Sequence, residues 1–492
     1  VILQIIILLP LLAALAVWLG APGRITSILA SGVNLLLVLG LIWQYQGMGL
    51  EGGMAFKSAF TVLDQPHIQF AVGADGISLT LALLTALVTM AAVWSTVGKD
   101  AIYYIASLLI AGGAFGAFLC TDLFFIYAFH ELALIPTFLM IALYGYGDRK
   151  AVAWKITLYL GAGSLILLAG LAGLVWLCSP DNKITFDLLA LEPVTADSGY
   201  AKWWVEATYF TLLIGFGTLV SLFPFHSWAA PAYAAAPTPV AMLHAGVLKK
   251  FGLYGLIRIA MPLLPEAAQA TWIQHALLYM LLGNILVMGL VTIHQRRLDG
   301  LLANSSVMHM GYIFLGLAAG NALGVNGALL LMFAHGISIA LLFLLCGKLR
   351  SQAGTLEFEK LGGLAGNAPF LSLVFGIAAF ASIGLPGLAN FAGEVLVFLG
   401  AFKDFDAAEG FTFLQVATIL SLWGVVISAV YMLRAYRKIF FGKAVSGIFV
   451  SDPGISQRIP LVVLAGVLLV VGCQPGLLLN LMQFSLGALG FK

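Results

Sequence analysis

Residues Phe125–Gly145 read FIYAFHELALIPTFLMIALYG, an apolar run interrupted near its middle by His130 and Glu131. At about 1.5 Å of rise per residue, a helix over this stretch is long enough to span a bilayer. Glu131 then lies well inside the hydrocarbon, where a charged carboxylate costs several kcal/mol, and intramembrane acids are as a rule functional. The stretch therefore predicts a transmembrane helix built around a working acid.

The rest of the chain agrees. Of 492 residues, 62% are hydrophobic and 9% are charged, with a mean hydropathy of +1.05, whereas a water-soluble domain carries roughly 25% charged residues. That charge cannot cover a soluble globule of this length, so the fold class is an all-α polytopic membrane protein. The net charge of +2 says nothing of partners, and with no basic run to suggest it, nucleic acid is not expected as one. Cys120, Cys178, Cys346 and Cys473 are far apart in apolar surroundings, without a CxxC pair, and read as buried helix residues. No glycine-rich phosphate loop or His/Cys cluster offers a nucleotide, metal or iron–sulfur site, so no cofactor is expected in this chain. The opening VILQIIILLPLLAALAVWLG has the length of a retained first span rather than of a cleaved signal peptide.

Fourteen spans are expected, near 2–20, 26–45, 77–97, 101–120, 123–145, 155–178, 206–223, 239–262, 272–293, 301–319, 326–347, 369–400, 412–437 and 459–482. The longest polar interruptions, about 46–70 and 179–205, are too small for a separate soluble domain. Charge tests the count. Loops after odd spans hold Arg24, Lys99, Arg149, Lys150, Arg296, Arg297, Lys348, Arg350, Lys443 and Arg458. Loops after even spans hold Glu51, Asp181, Asp187, Glu192, Asp197, Glu266, Asp404, Asp406 and Glu409. The positive-inside rule puts the odd loops in the cytoplasm and both termini on the periplasmic side of a bacterial inner membrane.

Two spans read as interrupted. Pro224, Pro231, Pro237 and Pro239 end the seventh, and Gly384, Pro386 and Gly387 break the twelfth. Proline removes a backbone donor and opens the helical ladder, which at membrane depth is tolerated only beside protein or water. Breaks five spans apart fit two inverted five-helix repeats, spans 4–8 and 9–13, a common transporter plan. The expected organisation is 1–100 for helices 1–3, 101–262 for the first repeat, 263–440 for the second, and 441–492 for the last helix.

Few ionisable groups lie deep in these spans: Glu131, Lys249, Lys250, Glu394, and the histidines His130, His244, His309 and His335. Successive helix positions differ by about 100°, so Lys249 and Lys250 cannot share a face. Lys250 is expected to point inward and Lys249 to tether lipid or a partner. Single buried histidines are usually structural, but several in one bundle can form a proton wire, since imidazole both accepts and donates near neutrality.

These residues sit in recognisable strings: HELALIPTFLMIALYG, FPFHSW with APTPVAMLHAGVLKKFGLYGLIR, NSSVMHMGYIFLGL, FAHGISIALLFLLCG and LPGLANFAGE. In family order, they resemble the antiporter-like membrane subunits of respiratory complex I, most nearly the subunit-M (mitochondrial subunit-4) branch of NADH–quinone oxidoreductases. The resemblance implies proton translocation driven by quinone reduction in other subunits. It assigns proton transfer to Glu131, Lys250, His309, His335 and Glu394, with His130, Lys249 and His244 as auxiliaries. The partners it implies are sister antiporter-like subunits, a lateral helix and lipid, with flavin, iron–sulfur clusters and quinone held by partner subunits. A multisubunit Na+/H+ antiporter, a membrane-bound hydrogenase and a non-pumping scaffold are the alternative settings.

Three features depart from the family pattern. The lysine expected on the seventh span is Leu219, with no lysine or arginine between Lys202 and His244. QRRLDG places Arg297 and Asp299 where the family carries an acid and a base, so the pair would survive with its signs exchanged. His244 and Lys249 look more like the sister subunits. A carboxylate and an ammonium at about 4 Å attract by about 4 kcal/mol at an effective dielectric of 20. Without the lysine, Glu131 needs another partner, and His130 or a lysine of the eighth span is nearest in sequence.

Overall fold

The computed structural model describes residues 1–48, 53–64, 67–180 and 183–491; Glu51 and Asp181 of the loop-charge argument lie outside them. Among these residues twelve helices are long and apolar enough to cross a membrane. They are α2 (Gly23–Gly47), α3 (Gly76–Ser95), α4 (Ala101–Leu119), α5 (Leu123–Tyr144), α6 (Arg149–Cys178), α7 (Lys202–Val220), α8 (Thr238–Leu263), α9 (Thr271–Ile293), α10 (Leu298–Ala318), α11 (Ala322–Ala353), α13 (Phe413–Phe440) and α14 (Ile455–Cys473). The first expected span is α1 (Ile2–Trp18), and the twelfth is two short helices, α12a (Pro369–Ile383) and α12b (Ala389–Ala401).

Helix starts follow from capping chemistry. Asp75, Asp100, Asp122 and Asp148 each accept a hydrogen bond from a backbone N–H in the first turn of α3, α4, α5 and α6, which satisfies donors that lipid cannot.

Three expectations need correction. The last span does not run 459–482: α14 ends at Cys473, Gln474 leaves the helical region, and Pro475 begins a separate helix, α15 (Gly476–Ala488). Serine 485 of α15 accepts from the Gly76 N–H at the start of α3. The interruption at 46–70 contains an antiparallel hairpin, β1 (Ala55–Leu63) and β2 (Ile68–Ala74), with Phe60 opposite Phe70. Its two register irregularities interrupt the alternation by which a strand is read. Several helices also begin earlier than expected, α6 at Arg149 and α7 at Lys202.

The centre of the bundle is α8, α10 and α11, whose most apolar stretches are wholly covered by other helices. Two five-residue π-helical segments, His244–Leu248 and Leu256–Ala260, lie within α8. Such bulges rotate the side chains that follow them and are frequent at functional sites. Glycines let the helices close up: Gly246 and Gly336 face each other across α8 and α11, each carbonyl near the point where the other's Cβ would sit.

Candidate proton-transfer site

The break after α7 is held from another helix. Ser221 adopts a left-handed conformation, with φ of 70°, and ends the helix. Asn284, fully buried in a π-helical segment of α9, accepts from the Phe223 N–H at 2.7 Å and donates to the carbonyls of Ser221 (3.0 Å) and Val307 (2.9 Å). One amide thus satisfies backbone groups freed by the break and ties them to α10. Sequence reading missed Asn284, because nothing local distinguishes it from an ordinary helical asparagine.

Beyond that break, α8 carries Lys249 and Lys250, both fully buried. The Lys250 ammonium nitrogen lies 2.9 Å from His335 Nδ1 and 3.3 Å from the Ala245 carbonyl. The rings of His335 and His309 are 5.7 Å apart. His309 Nε2 meets the Tyr431 hydroxyl at 3.3 Å and the Ser382 hydroxyl at 3.4 Å. The structure therefore brings Lys250, His335 and His309 together, as expected.

Lys249 does not tether lipid or a partner. Its nitrogen donates to the Ser306 carbonyl (3.1 Å) and hydroxyl (3.3 Å) and lies 5.3 Å from the Tyr233 ring centre. The two lysines do point to different faces, but α8 is enclosed on every side, so neither face meets lipid. His244 packs against Trp228 and approaches the Tyr233 hydroxyl at 3.3 Å. It joins the lysine surroundings through Tyr233 rather than by contact.

Glu131 lies apart from this cluster. Its carboxylate accepts from the Ser164 hydroxyl at 2.6 Å and sits 3.3 Å from His130 Nδ1. The His130 ring stacks on Phe251, beside Lys250, with ring centres 4.1 Å apart. The side chain of Glu131 is 33% exposed, on a cavity of about 240 Å³ between α5 and α6 lined by Leu134, Phe138, Ile156 and Leu160 among others. The basic partner anticipated for Glu131 is thus its neighbour His130, aided by a serine hydroxyl. Leu219 is buried, packed toward Gly163 next to Ser164.

Glu394 occupies the break in α12. Gly384 has φ of +82°, and a Cβ there would lie 2.2 Å from Glu394 Oε2. Only glycine offers both that backbone conformation and that room.

At the end of the bundle bearing the cationic loops, Arg297 clasps Asp299 through Nε (3.1 Å) and Nη2 (2.9 Å), and Arg350 adds a third contact at 2.7 Å. The pair with exchanged signs is formed. Hydrogen bonding to Asp299 raises the Arg297 pKa above its ordinary value, outweighing partial desolvation. Glu357 nearby is held below the ordinary carboxylate value by Lys360 first, then by Arg297. At the opposite end a second ion pair that sequence reading missed joins Asp75 to Arg258 at 2.5 Å, both buried. Its two members are 183 residues apart, and each alone looks like a helix-end charge.

The family described as NADH:quinone oxidoreductase/Mrp antiporter, transmembrane, matches residues 120–421. NAD(P)H-quinone oxidoreductase chain 4 1 of Synechococcus elongatus is 36% identical over 448 residues, 89% of this chain and 81% of that one. Chain 4 2 of Trichodesmium erythraeum is 34% identical over 89% of this chain and 78% of its own length. A chain of respiratory complex I from Thermus thermophilus superposes with a TM-score of 0.87, 29% identity and full coverage of both chains. A chain of the Mrp complex from Dietzia sp. has a TM-score of 0.85 at 19% identity, covering 99% and 97%, which is a likeness of fold alone.

Proposed function

We propose that this chain, which belongs to the NADH:quinone oxidoreductase/Mrp antiporter transmembrane family, is a proton-translocating membrane-arm subunit of a complex-I-type NADH–quinone oxidoreductase. The observation that carries this reading is the 2.9 Å contact of Lys250 with His335, continued by His309, inside helices that lipid does not touch. Titratable groups in such a place are costly and as a rule functional, and these can pass one proton between them.

In this reading the chain is non-catalytic; electron transfer belongs to partner subunits, which hold flavin, iron–sulfur clusters and quinone. Glu131 is the intake carboxylate, with His130 as its nearest base and Ser164 as its hydrogen-bond donor. Lys250, His335 and His309 form the relay, and Glu394 receives the proton in the broken helix. Residues 101–262 and 263–440 are the two inverted repeats, and 1–100 and 441–492 are the flanking helices. Both termini face the periplasm, because the loops rich in lysine and arginine lie at the other end. Sister antiporter-like subunits, a lateral helix and lipid surround it.

The test uses the whole complex in proteoliposomes. Lys250→Met should leave electron transfer with an artificial acceptor intact and lower the protons moved per electron pair by about one subunit's share. Unchanged proton transfer per electron would reject the reading.

A further inference from the structure

None of the described side-chain hydrogen bonds of His309 or His335 reaches Glu394. The relay therefore stops short of the carboxylate at which it is read to end. Asn390 stands one helical turn from that carboxylate. It lies on α12b four residues before Glu394, a spacing that puts both side chains on one helix face. Its side chain is fully buried, yet neither its Oδ1 nor its Nδ2 has a partner among the described residues. His335 Nε2 is likewise buried without a partner, while Nδ1 of the same ring is taken by Lys250.

The packing register brings the two together. On α11 and α12b, Leu331 lies against Gly393 and Gly327 against the Val397 nitrogen, so the helices run antiparallel in close contact. One helical turn beyond the Leu331–Gly393 contact, α11 presents His335 and α12b presents Asn390. Three unpartnered polar atoms thus belong to one level of the bundle, one turn from Glu394. A buried amide without a partner is strongly unfavourable, and water is the group that ordinarily satisfies one.

We propose that Asn390 holds water between His335 Nε2 and the Glu394 carboxylate, and that the proton leaves the relay at His335 and crosses to Glu394 through it, with His309 a side member of the cluster; this rests on the relay reading above. The imidazolium of His335 gives its Nε2 proton to the water oxygen as that water gives another of its protons to the carboxylate. The histidine ends neutral, Glu394 ends protonated, and the water is unchanged. Asn390 is a positioning residue: Oδ1 accepts from the water and Nδ2 donates to it, and no proton is transferred to the amide.

Asn390→Leu keeps the volume and removes both polar atoms, whereas Asn390→Ser keeps a hydroxyl able to hold water. In the intact complex, Asn390→Leu should lose as much proton transfer per electron as Glu394→Gln, Asn390→Ser should lose less than half of that, and the double variant Asn390→Leu/Glu394→Gln should lose no more than either single one. Infrared difference spectra add a readout that packing alone would not move. The protonated-carboxyl band that Glu394→Gln abolishes should shift upward in Asn390→Leu, and a weakly bonded water band sensitive to H2(18)O should vanish. Should Asn390→Leu fail to assemble, the wild-type complex decides by its H2(18)O-sensitive band and by water density at Asn390 in a high-resolution map. Normal pumping in Asn390→Leu alongside impaired Glu394→Gln would overturn this inference alone, as would a dry amide. Normal pumping in Glu394→Gln itself would instead remove the relay reading beneath it.

Discussion

Lys250 and His335 meet at 2.9 Å although 85 residues of chain separate them. The contact joins the eighth helix to the eleventh, so a shift of either helix changes how the two nitrogens share a proton. An ammonium beside a neutral imidazole is favourable; two cations side by side in a covered site are not. The pair therefore favours one shared proton over two.

Glu131→Gln should assemble normally and lower proton transfer in reconstituted vesicles, because the amide cannot release a proton. Ser164→Ala should do the same more weakly, since it removes only the 2.6 Å hydrogen bond to the carboxylate. Protons moved per electron, measured with a pH-sensitive dye, check both; an unchanged ratio in Glu131→Gln would exclude the carboxylate from the path.

Leu219→Lys restores the family lysine beside Gly163 and Ser164. With His130 already 3.3 Å from Glu131, the new ammonium should leave pumping unchanged or reduce it. A marked gain in protons per electron would show that His130 is no substitute.

Gly384→Ala should disable the second break while leaving the helices in place. Its Cβ would fall 2.2 Å from Glu394 Oε2, and a non-glycine residue at positive φ adds about 1 kcal/mol of strain. The carboxylate must move, so proton transfer should drop to the level of Glu394→Gln, with assembly on native gels little changed.

Asn284→Leu removes three hydrogen bonds that hold the α7 break. Exposing that many buried backbone groups without partners should cost about 1–3 kcal/mol each before relaxation. Thermal unfolding of the isolated complex should begin at a lower temperature, with faster amide exchange at 221–223.

Acid should loosen the loop at 355–360 before the bundle. Lys360 and Arg297 lower the Glu357 pKa in the folded chain. The stabilisation is therefore present above the unfolded carboxylate value and lost as pH falls through the lower folded value, below about pH 4. The Arg297 contribution, from a raised pKa, is fully present throughout that range. Hydrogen exchange at 355–360 against pH should show the change, and Glu357→Gln should abolish it.

Hydropathy and loop charge made the membrane class and most helices legible, because both act residue by residue. Glu131, Lys250 and Glu394 were legible for a related reason: a charge amid twenty apolar neighbours is conspicuous in one dimension. The hairpin was hidden by its irregular register, and α15 by an apolar run that continues across Pro475. Lys249 was misplaced because one helix was assumed to have a lipid face. Asn284 and the Asp75–Arg258 pair depend on partners 23 to 183 residues distant, which no local pattern carries.

The enclosure of α8 has a consequence for how the protein is made. Lys249 and Lys250 each cost about 2.5–3.5 kcal/mol at the centre of a lone membrane helix. Their shelter is α10 and α11, which are synthesised later. On leaving the insertion machinery, α8 cannot partition into lipid alone and must be retained there until the downstream helices emerge. Nascent chains halted before α10 has left the ribosome should therefore crosslink to the insertion channel through α8, and chains halted after α11 has left it should not.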